Sequence, residues 1–202
     1  MNTDFHSPPL LFAIVLSAGA SRRMGTCKAS LPWEKGKTLL SYQVEQFLLA
    51  GITPVVVLGP HNCDRKKDCP PDTCFVINPD PSQGKTSSIL TGLQSIPKNC
   101  QVLAISAVDQ PRPTEIYQKL LQEQIHNDSI ITAPTYKGKL GHPLFFSSKA
   151  LLHLENIREE TFGLRQVVQE FYAVINKVEF DNQVVITDIN TPENYSNVLS
   201  AE

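Results

Sequence analysis

Residues 12–28 read FAIVLSAGASRRMGTCK, and this stretch decides both the fold and the candidate site. Its first five residues are apolar and partly β-branched, which predicts a strand buried on both faces of a sheet. The small residues that follow let the backbone approach a phosphate and point amide groups at it. Arg23 can bind phosphate oxygens through its forked guanidinium, and Lys28 adds a compact positive charge. The stretch predicts a phosphate-binding loop after a buried strand; a flexible loop with solvated basic residues is the alternative.

Outward from this strand, apolar runs of strand character alternate with segments of helical periodicity. The alternation predicts an α/β protein with a mostly parallel sheet that helices cover on both faces. Residues 1–11 read as a polar lead-in, residues 12–202 as one domain, and residues 59–73 as an exposed loop. We expect strands at residues 12–16, 54–58, 74–77, 101–108, 129–133, 144–146, 173–178 and 184–187, and helices at residues 38–50, 86–95, 114–126, 149–154, 163–171 and from 191 onward.

The composition argues against several classes of protein. With 18 basic and 20 acidic residues the net charge is -2, so no basic excess points to a nucleic acid or an anionic membrane surface. Five cysteines without a C-x-x-C pair argue against a disulfide framework or a zinc site. The apolar residues 10–20 follow a segment with Asp4 and no Lys or Arg, unlike a signal peptide. We therefore expect a cytoplasmic protein with neither a nucleic-acid nor a membrane partner.

A carboxylate follows the fourth predicted strand, where residues 108–111 read V-D-Q-P. Ligands of such sheets bind outside the carboxyl ends of the strands, so this turn should lie beside the loop after residue 16. Asp109 can hold Mg²⁺ against phosphates, because Mg²⁺ takes a few hard oxygen ligands together with substrate oxygens. The alternative is an aspartate that caps the helix near residue 114.

Residues 84–88, GKTSS, are a further landmark. They are not a Walker A motif, because that motif needs a glycine where this chain has Pro79. The hydroxyls of Ser87 and Ser88, or the amides at the helix start, can contact a nucleotide or acceptor phosphate. Two serines that merely begin a helix are the alternative.

These landmarks together resemble one family over residues 12–198. Residues 16–28 match the nucleotidyltransferase signature L-x-A-G-x-S-x-R-M-G-x-x-K, and residues 84–88 resemble its G-x-x-S-S-L stretch. GKLGHPLFF at residues 138–146 and DINTPEN at residues 188–194 resemble the G-H-P and D-I-D-T-P-E-D segments of molybdenum cofactor cytidylyltransferases. The chain departs from the pattern at three positions, where the family usually has Gly-Asp-Met-Pro and a second Asp: Val108, Gln110 and Asn190.

The resemblance implies a single Rossmann-like domain of the nucleotide-diphospho-sugar transferase type that uses Mg²⁺ or Mn²⁺. It implies transfer of CMP from CTP to the phosphate of molybdopterin, with release of pyrophosphate. Ala18 fits the cytidylyl pattern, because guanylyl-transferring relatives usually have L-A-G-G at residues 16–19. The expected catalytic residues are Arg23, Lys28 and Asp109. The expected nucleotide-binding residues are Leu16, Ser17, Ala18, Gly19, Arg23, Lys28, Ser87 and Ser88. Asp109 and Asp188 are the expected metal ligands, and His142 is the expected substrate-binding residue.

Several alternatives stay open. Asp188 could merely form a turn before the last helix, with Asn190 standing at the true ligand position, and His142 could be a structural hydrogen-bonding residue. The same chemistry could use GTP or a sugar-phosphate acceptor. A non-catalytic escort protein that delivers molybdopterin to a molybdoenzyme partner is a different reading. A dehydrogenase is disfavoured because the first loop lacks G-x-G-x-x-G.

Overall fold

The first predicted strand forms β1, Leu11–Leu16. The computed structural model describes residues 10–200, apart from the side chain of Lys35, so most of the predicted lead-in, residues 1–11, lies outside the described residues. The other strands are β2 (Thr53–Leu58), β3 (Cys74–Ile77), β4 (Val102–Ala107), β5 (Ile131–Tyr136), β6 (Lys139–Leu140), β7 (Leu144–Ser147) and β8 (Asn176–Glu179). The helices are α1 (Leu39–Leu49), α2 (Lys85–Leu93), α3 (Thr114–Asn127), α4 (Leu151–Glu155), α5 (Leu164–Glu170) and α6 (Pro192–Leu199).

The strands form one mixed sheet in the order β3-β2-β1-β4-β7-β5-β6, with β8 paired to β5. β1 to β4 run parallel, and β8 runs parallel to β5. β7 lies antiparallel to both of its neighbours, β4 and β5. Most of the strands are therefore parallel, and the predicted α/β class is confirmed.

Two apolar cores sandwich the sheet because successive side chains of a strand point to opposite faces. Ala13 and Val15 of β1 pack into one core with α1 and α3. Ile14 and Leu16 pack into the other with α2, α4 and α5. Burying both faces of β1 fixes the backbone from which the glycine-containing loop begins.

The predicted strand at residues 184–187 is wrong. Gln183–Ile186 forms a 3-10 helix, which begins where the Asn182 side chain accepts a hydrogen bond from Val184 N at 2.9 Å. Local side-chain bonds of this kind compete with strand pairing. A short apolar run does not distinguish the two outcomes by itself. Val185 is still wholly buried, so its apolar character reflects packing.

Other differences concern boundaries and short turns. The strand predicted at residues 173–178 begins only at Asn176, after a 3-10 turn at Tyr172–Val174. The predicted exposed loop at residues 59–73 contains the 3-10 segment Pro60–Asp68, which has a buried residue, Asn62. No helix in the described part of the chain is long and apolar enough to span a membrane.

Candidate active site

The loop at residues 17–28 is held at both ends. The carbonyl of Ser17 accepts a hydrogen bond from Nδ2 of the buried Asn62 at 2.8 Å. Lys28 N donates to Ser21 Oγ at 3.2 Å at the other end. Most residues between these anchors are exposed. The loop therefore has a defined path and still offers its surface to a ligand.

Lys28 joins three distant segments of the chain. Its side chain is nearly buried, and Nζ lies 2.7 Å from Asp109 Oδ2 and 2.9 Å from Asn190 Oδ1. Arg23 Nη2 donates to the same Asn190 oxygen at 2.9 Å. The structure thus brings together the three residues predicted to be catalytic, Arg23, Lys28 and Asp109. Asn190, which is in the sequence both a departure from the family and an alternative ligand position, is the acceptor that joins the two cations.

Three adjoining cavities, which we call the first, second and third cavity, surround this network. The network itself lies in the second cavity. The second cavity has a volume of about 440 Å³. Its lining residues are Ser21, Arg22, Arg23, Lys28, Lys85, Asp109, Gln110, Arg165, Asp188 and Asn190. Five of these are cations and two are carboxylates, in a chain whose net charge is -2. Such a concentration of positive charge favours a polyanion such as a triphosphate.

The first cavity lies at the carboxyl ends of β1 and β4 and has a volume of about 260 Å³. Small and apolar residues line much of it, among them Leu16, Ala18, Gly19 and Ala107. It shares four residues with the second cavity: Ser21, Lys28, Lys85 and Asp109. A ligand can therefore pass from one cavity to the other past the Lys28–Asp109 pair.

The predicted nucleotide-binding serines differ in position. Ser88 lines the first cavity, but its hydroxyl already accepts a hydrogen bond from Asn78 Nδ2 at 2.9 Å. Ser87 lines none of the three cavities, and its hydroxyl donates to Gly84 O at 2.9 Å. The Ser17 side chain is buried away from all three. Ser17 and Ser87 therefore support the loops rather than face the cavities.

The third cavity is the largest of the three, at about 760 Å³. Its wall is mixed: it combines apolar residues such as Leu144, Leu164 and Val168 with polar and charged ones, and the predicted substrate residue His142 is among the latter. It shares four polar or charged residues with the second cavity: Lys85, Gln110, Arg165 and Asp188. The two cavities therefore meet at a charged boundary.

The oxygen atoms of the second cavity fit a divalent cation of the magnesium type. Asp109 and Asp188 both line it, and each carboxylate shows a hydrogen-bond partner on only one of its oxygens within the described residues. Asn190 Oδ1 instead accepts from two cations. The described part of the chain has no cluster of three or more His, Cys, Asp or Glu that could enclose a metal. Mg²⁺ needs no such enclosure, because it keeps water and substrate phosphates as ligands.

The MobA-like NTP transferase domain model matches residues 13–177, which include the glycine-containing loop and Asp109. The chain belongs to this family. It is 28% identical to the molybdenum cofactor cytidylyltransferase of Escherichia coli over 90% of this chain and 92% of that protein. It is 25% identical to the nicotine blue oxidoreductase of Paenarthrobacter nicotinovorans over 95% of this chain and 97% of that protein.

Solved structures support the same fold. Rv0371c of Mycobacterium tuberculosis in complex with manganese superimposes with a TM-score of 0.79 and 19% identity, covering 96% of this chain and all of that one. With the family match, this fold identifies the chain as a MobA-like nucleotidyltransferase, as the resemblance implied. The family match ends at residue 177, so Asp188 and Asn190 lie beyond it.

His142 faces the third cavity of this MobA-like domain as a neutral group at neutral pH. Burial lowers the pKa of its imidazole to about 4, and repulsion from Lys85 acts in the same direction. Its backbone is fixed, because His142 N donates to Val185 O at 2.8 Å and its carbonyl accepts from Arg112 Nε at 3.2 Å. The side chain is therefore a hydrogen-bonding group of the cavity wall and carries no charge there.

Arg112 is a structural residue of the site that the sequence reasoning missed. It is 1% exposed, and its guanidinium also donates to the carbonyls of Pro111, Val185 and Thr187 at 2.9, 3.3 and 2.8 Å. Burial lowers the pKa of Arg112 to about 10, so the group stays charged at neutral pH. An arginine directly after the D-x-P turn was the available signal. Three of its partners, however, are the backbone carbonyls of His142, Val185 and Thr187 in distant segments, and no residue pattern identifies such contacts.

We expect Arg112→Met to lower the free energy of unfolding by about 3 kcal/mol or more, since it leaves several buried carbonyls without a donor. Arg158→Met, at an exposed position, is the matched control and should change it by less than about 0.5 kcal/mol. Urea unfolding followed by circular dichroism measures both. Equal losses in the two variants would contradict this role of Arg112.

The pKa of His142 predicts a specific loss of stability in acid. Between pH about 6.5 and about 4 the unfolded chain binds a proton at this residue and the folded chain does not. Stability contributed by the neutral imidazole is therefore lost as the pH falls through this window, by about 3 kcal/mol at most near pH 4. The difference in unfolding free energy between wild type and His142→Gln should shrink or reverse from pH 7 to pH 4. A difference independent of pH would show that the imidazole titrates normally.

Proposed function

We propose that this MobA-like domain transfers CMP from CTP to the phosphate of molybdopterin, releasing pyrophosphate in a Mg²⁺-dependent reaction. The observation that carries the proposal is the cationic second cavity, in which Lys28 and Asp109 meet between a small-residue loop and the larger third cavity. The similarity to the Escherichia coli cytidylyltransferase along nearly the whole chain supports this choice of reaction.

The nucleotide is assigned to the first two cavities. Its base and sugar would lie against Leu16, Ala18 and Gly19. The small side chain of Ala18 and the lack of one at Gly19 let a flat group approach the backbone there. Its triphosphate would lie in the second cavity, where Arg23 and Lys28 offset negative charge. Ser17 and Ser87 act in this assignment through the loops they stabilise, and Ser88 lines the first cavity.

Asp109 and Asp188 would hold the divalent cation, Mg²⁺ or Mn²⁺. The free oxygens on both carboxylates support this, as does the manganese in the structure of Rv0371c. A bound cation would draw negative charge from the triphosphate and from the departing pyrophosphate. Gln110 Nε2 donates to Asp188 Oδ1 at 3.0 Å and so orients that carboxylate toward the cavity.

The reaction needs no nucleophilic side chain. An ionised oxygen of the acceptor phosphate attacks the α-phosphorus of CTP, forming one P–O bond as the bond to the β-phosphate oxygen breaks. The electron pair leaves with pyrophosphate, and no proton has to be taken from the acceptor. Arg23 and Lys28 therefore act by positioning and by stabilising charge. His142, neutral in the third cavity, would donate or accept a hydrogen bond to the body of the acceptor.

The alternatives concern the substrates first. Ala18 favours CTP only through the family pattern, so GTP stays the main competitor, and a sugar phosphate is the competing acceptor. An escort protein that delivers molybdopterin to a molybdoenzyme is disfavoured, because it has no need of a cavity lined by five cations that could offset the charge of a triphosphate. The similarity to the nicotine blue oxidoreductase does not favour hydride transfer, because the first loop lacks the dinucleotide-binding glycine pattern. We keep a cytoplasmic location as a prediction.

A substrate screen tests the proposal directly. Purified protein is incubated with each of the four ribonucleoside triphosphates, with molybdopterin or a sugar phosphate, and with Mg²⁺ or Mn²⁺. We expect pyrophosphate release with CTP and molybdopterin, at a rate at least about tenfold above that with GTP, a difference of about 1.4 kcal/mol. Pyrophosphate release with GTP and not with CTP would show that GTP is the nucleotide substrate. Tight binding of molybdopterin without pyrophosphate release would show that the protein is an escort.

Asp109→Asn tests the metal assignment. It keeps the shape of the side chain and removes one negative charge, so we expect kcat to fall about 100-fold or more, as for other losses of transition-state stabilisation. Asp128→Asn is the matched control, because Asp128 pairs with Lys149 on the surface and lines none of the three cavities. Wild-type kcat and unchanged dependence on Mg²⁺ concentration in Asp109→Asn would exclude Asp109 as a metal ligand.

A further inference from the structure

Lys85 has a position that no other described residue shares. It is the first residue of α2, its side chain is exposed, and it lines the first, second and third cavities. Lys28 lines only the first two, and Arg165 only the second and third. Lys85 therefore stands where all three cavities meet.

Two of the other cations near this junction, Lys28 and Arg23, already have partners, whereas Arg22 and Arg165 line fewer of the cavities than Lys85 does. Lys28 is paired with Asp109 and Asn190, and Arg23 donates to Asn190. Within the part of the chain that the structure describes, Lys85 Nζ makes neither a hydrogen bond nor an ion pair. Its charge is thus available to a ligand without breaking an existing contact.

The stability of the fold does not account for a lysine at this position. The first turn of a helix carries a partial positive charge, so a cation there is unfavourable. α2 instead receives its compensating charge from Glu159, whose Oε2 accepts from Thr86 N at 3.0 Å. A neutral side chain at position 85 would suit the helix better than lysine does.

The backbone around Lys85 is fixed by close contacts. Gly84 has a φ of +98°, and a side chain there would overlap the Glu159 carboxylate. Gly163 in the turn that follows Glu159 would in the same way overlap Thr86. The start of α2 is thereby held in place, while the flexible stem of Lys85 can carry its ammonium group among the three cavities.

We propose that Lys85 is a catalytic residue that contacts both reacting phosphates, the α-phosphate of the nucleotide and the phosphate of the acceptor. The proposal rests on the proposed function and adds a residue to it. Two anions must approach each other before the new P–O bond forms, and a cation between them offsets their repulsion and the charge that builds up at the α-phosphorus. The ammonium group stays protonated throughout. The acceptor is a phosphomonoester whose phosphate faces Lys85 and whose body lies in the third cavity, which is the largest of the three and has both apolar and polar walls.

The kinetic test uses Lys85→Gln with Lys98→Gln as its control, because Lys98 is exposed and lines none of the three cavities. We expect kcat of Lys85→Gln to fall about 100-fold, as for loss of one charge-stabilising donor, with the nucleotide KM within about threefold of wild type. Lys85→Arg should recover at least about a tenth of wild-type kcat, because it restores the charge. The thermal midpoint of Lys85→Gln should equal or exceed that of wild type. A wild-type kcat, or a loss of kcat that follows a lowered midpoint, would overturn the proposal.

A binding test separates this proposal from the proposed function. Phenyl phosphate serves as the acceptor probe, and its dissociation constant is measured by calorimetry in the presence of Mg²⁺ and a non-hydrolysable α,β-methylene analogue of CTP. We expect about tenfold weaker binding to Lys85→Gln than to wild type or Lys98→Gln, as for loss of a charged hydrogen bond. If wild type turns over substrates but the three proteins bind phenyl phosphate equally, the role of Lys85 is refuted and the proposed function stands. If no substrate pair releases pyrophosphate but the tenfold loss is seen, the proposed function fails and Lys85 remains a phosphate-binding residue.

Discussion

The ion pair between Lys28 and Asp109 is the constraint on which the site depends. A nearly buried ammonium group is costly unless it is paired and hydrogen-bonded, and Lys28 meets that requirement only if Asp109 and Asn190 come within reach. These partners lie 81 and 162 residues further along the chain. Satisfying one lysine therefore ties the loop after β1, the turn after β4 and the segment before α6 into one structure. The same contact leaves Asp109 oriented toward the second cavity with an oxygen free for a ligand.

Asn190 gives this network its electrostatic character. Its neutral oxygen orients both Arg23 and Lys28 without cancelling their charge, whereas an aspartate at that position would offset one of them. The second cavity thereby keeps five cations against two carboxylates, although the chain as a whole is slightly acidic. A polyanion that enters the cavity meets oriented positive charge that has already been desolvated in part, which favours phosphate binding over hydration. The departure from the family pattern at Asn190 thus has an electrostatic consequence, a more strongly cationic site.

The parts of the site that the sequence predicted share a physical reason. Arg23, Lys28 and Asp109 follow buried strands, and parallel strands bring their carboxyl ends to one edge, so strand patterns and a few charged residues were enough to place them together. Contacts made by backbone atoms and short apolar runs could not be predicted in this way. Besides that of Pro111, Arg112 binds carbonyls 30 to 75 residues away, and Gln183–Ile186 forms a 3-10 helix although the apolar run at residues 184–187 resembled a strand. The pattern also could not show that Gly84 O already accepts the hydrogen bond of the Ser87 hydroxyl, and the assignment of Ser87 to a phosphate stays a prediction.

The antiparallel strand β7 explains how the third cavity comes to lie beside the second cavity. An antiparallel neighbour begins where a parallel strand ends, and Leu144 at the start of β7 pairs with Ile105 near the end of β4. The segment that leads into β7 therefore reaches the same edge of the sheet as Asp109, and Arg112 fastens its carbonyl at His142 there. The loops after the parallel strands β1 and β4 carry Arg23, Lys28 and Asp109, while the segment before β7 and the region around α5 form the opposite wall. Under the proposed function the acceptor lies against this opposite wall, whose residues come from other parts of the chain than the pair of Lys28 and Asp109. Substitutions in that wall would therefore change the shape of the proposed acceptor side while leaving this pair in place.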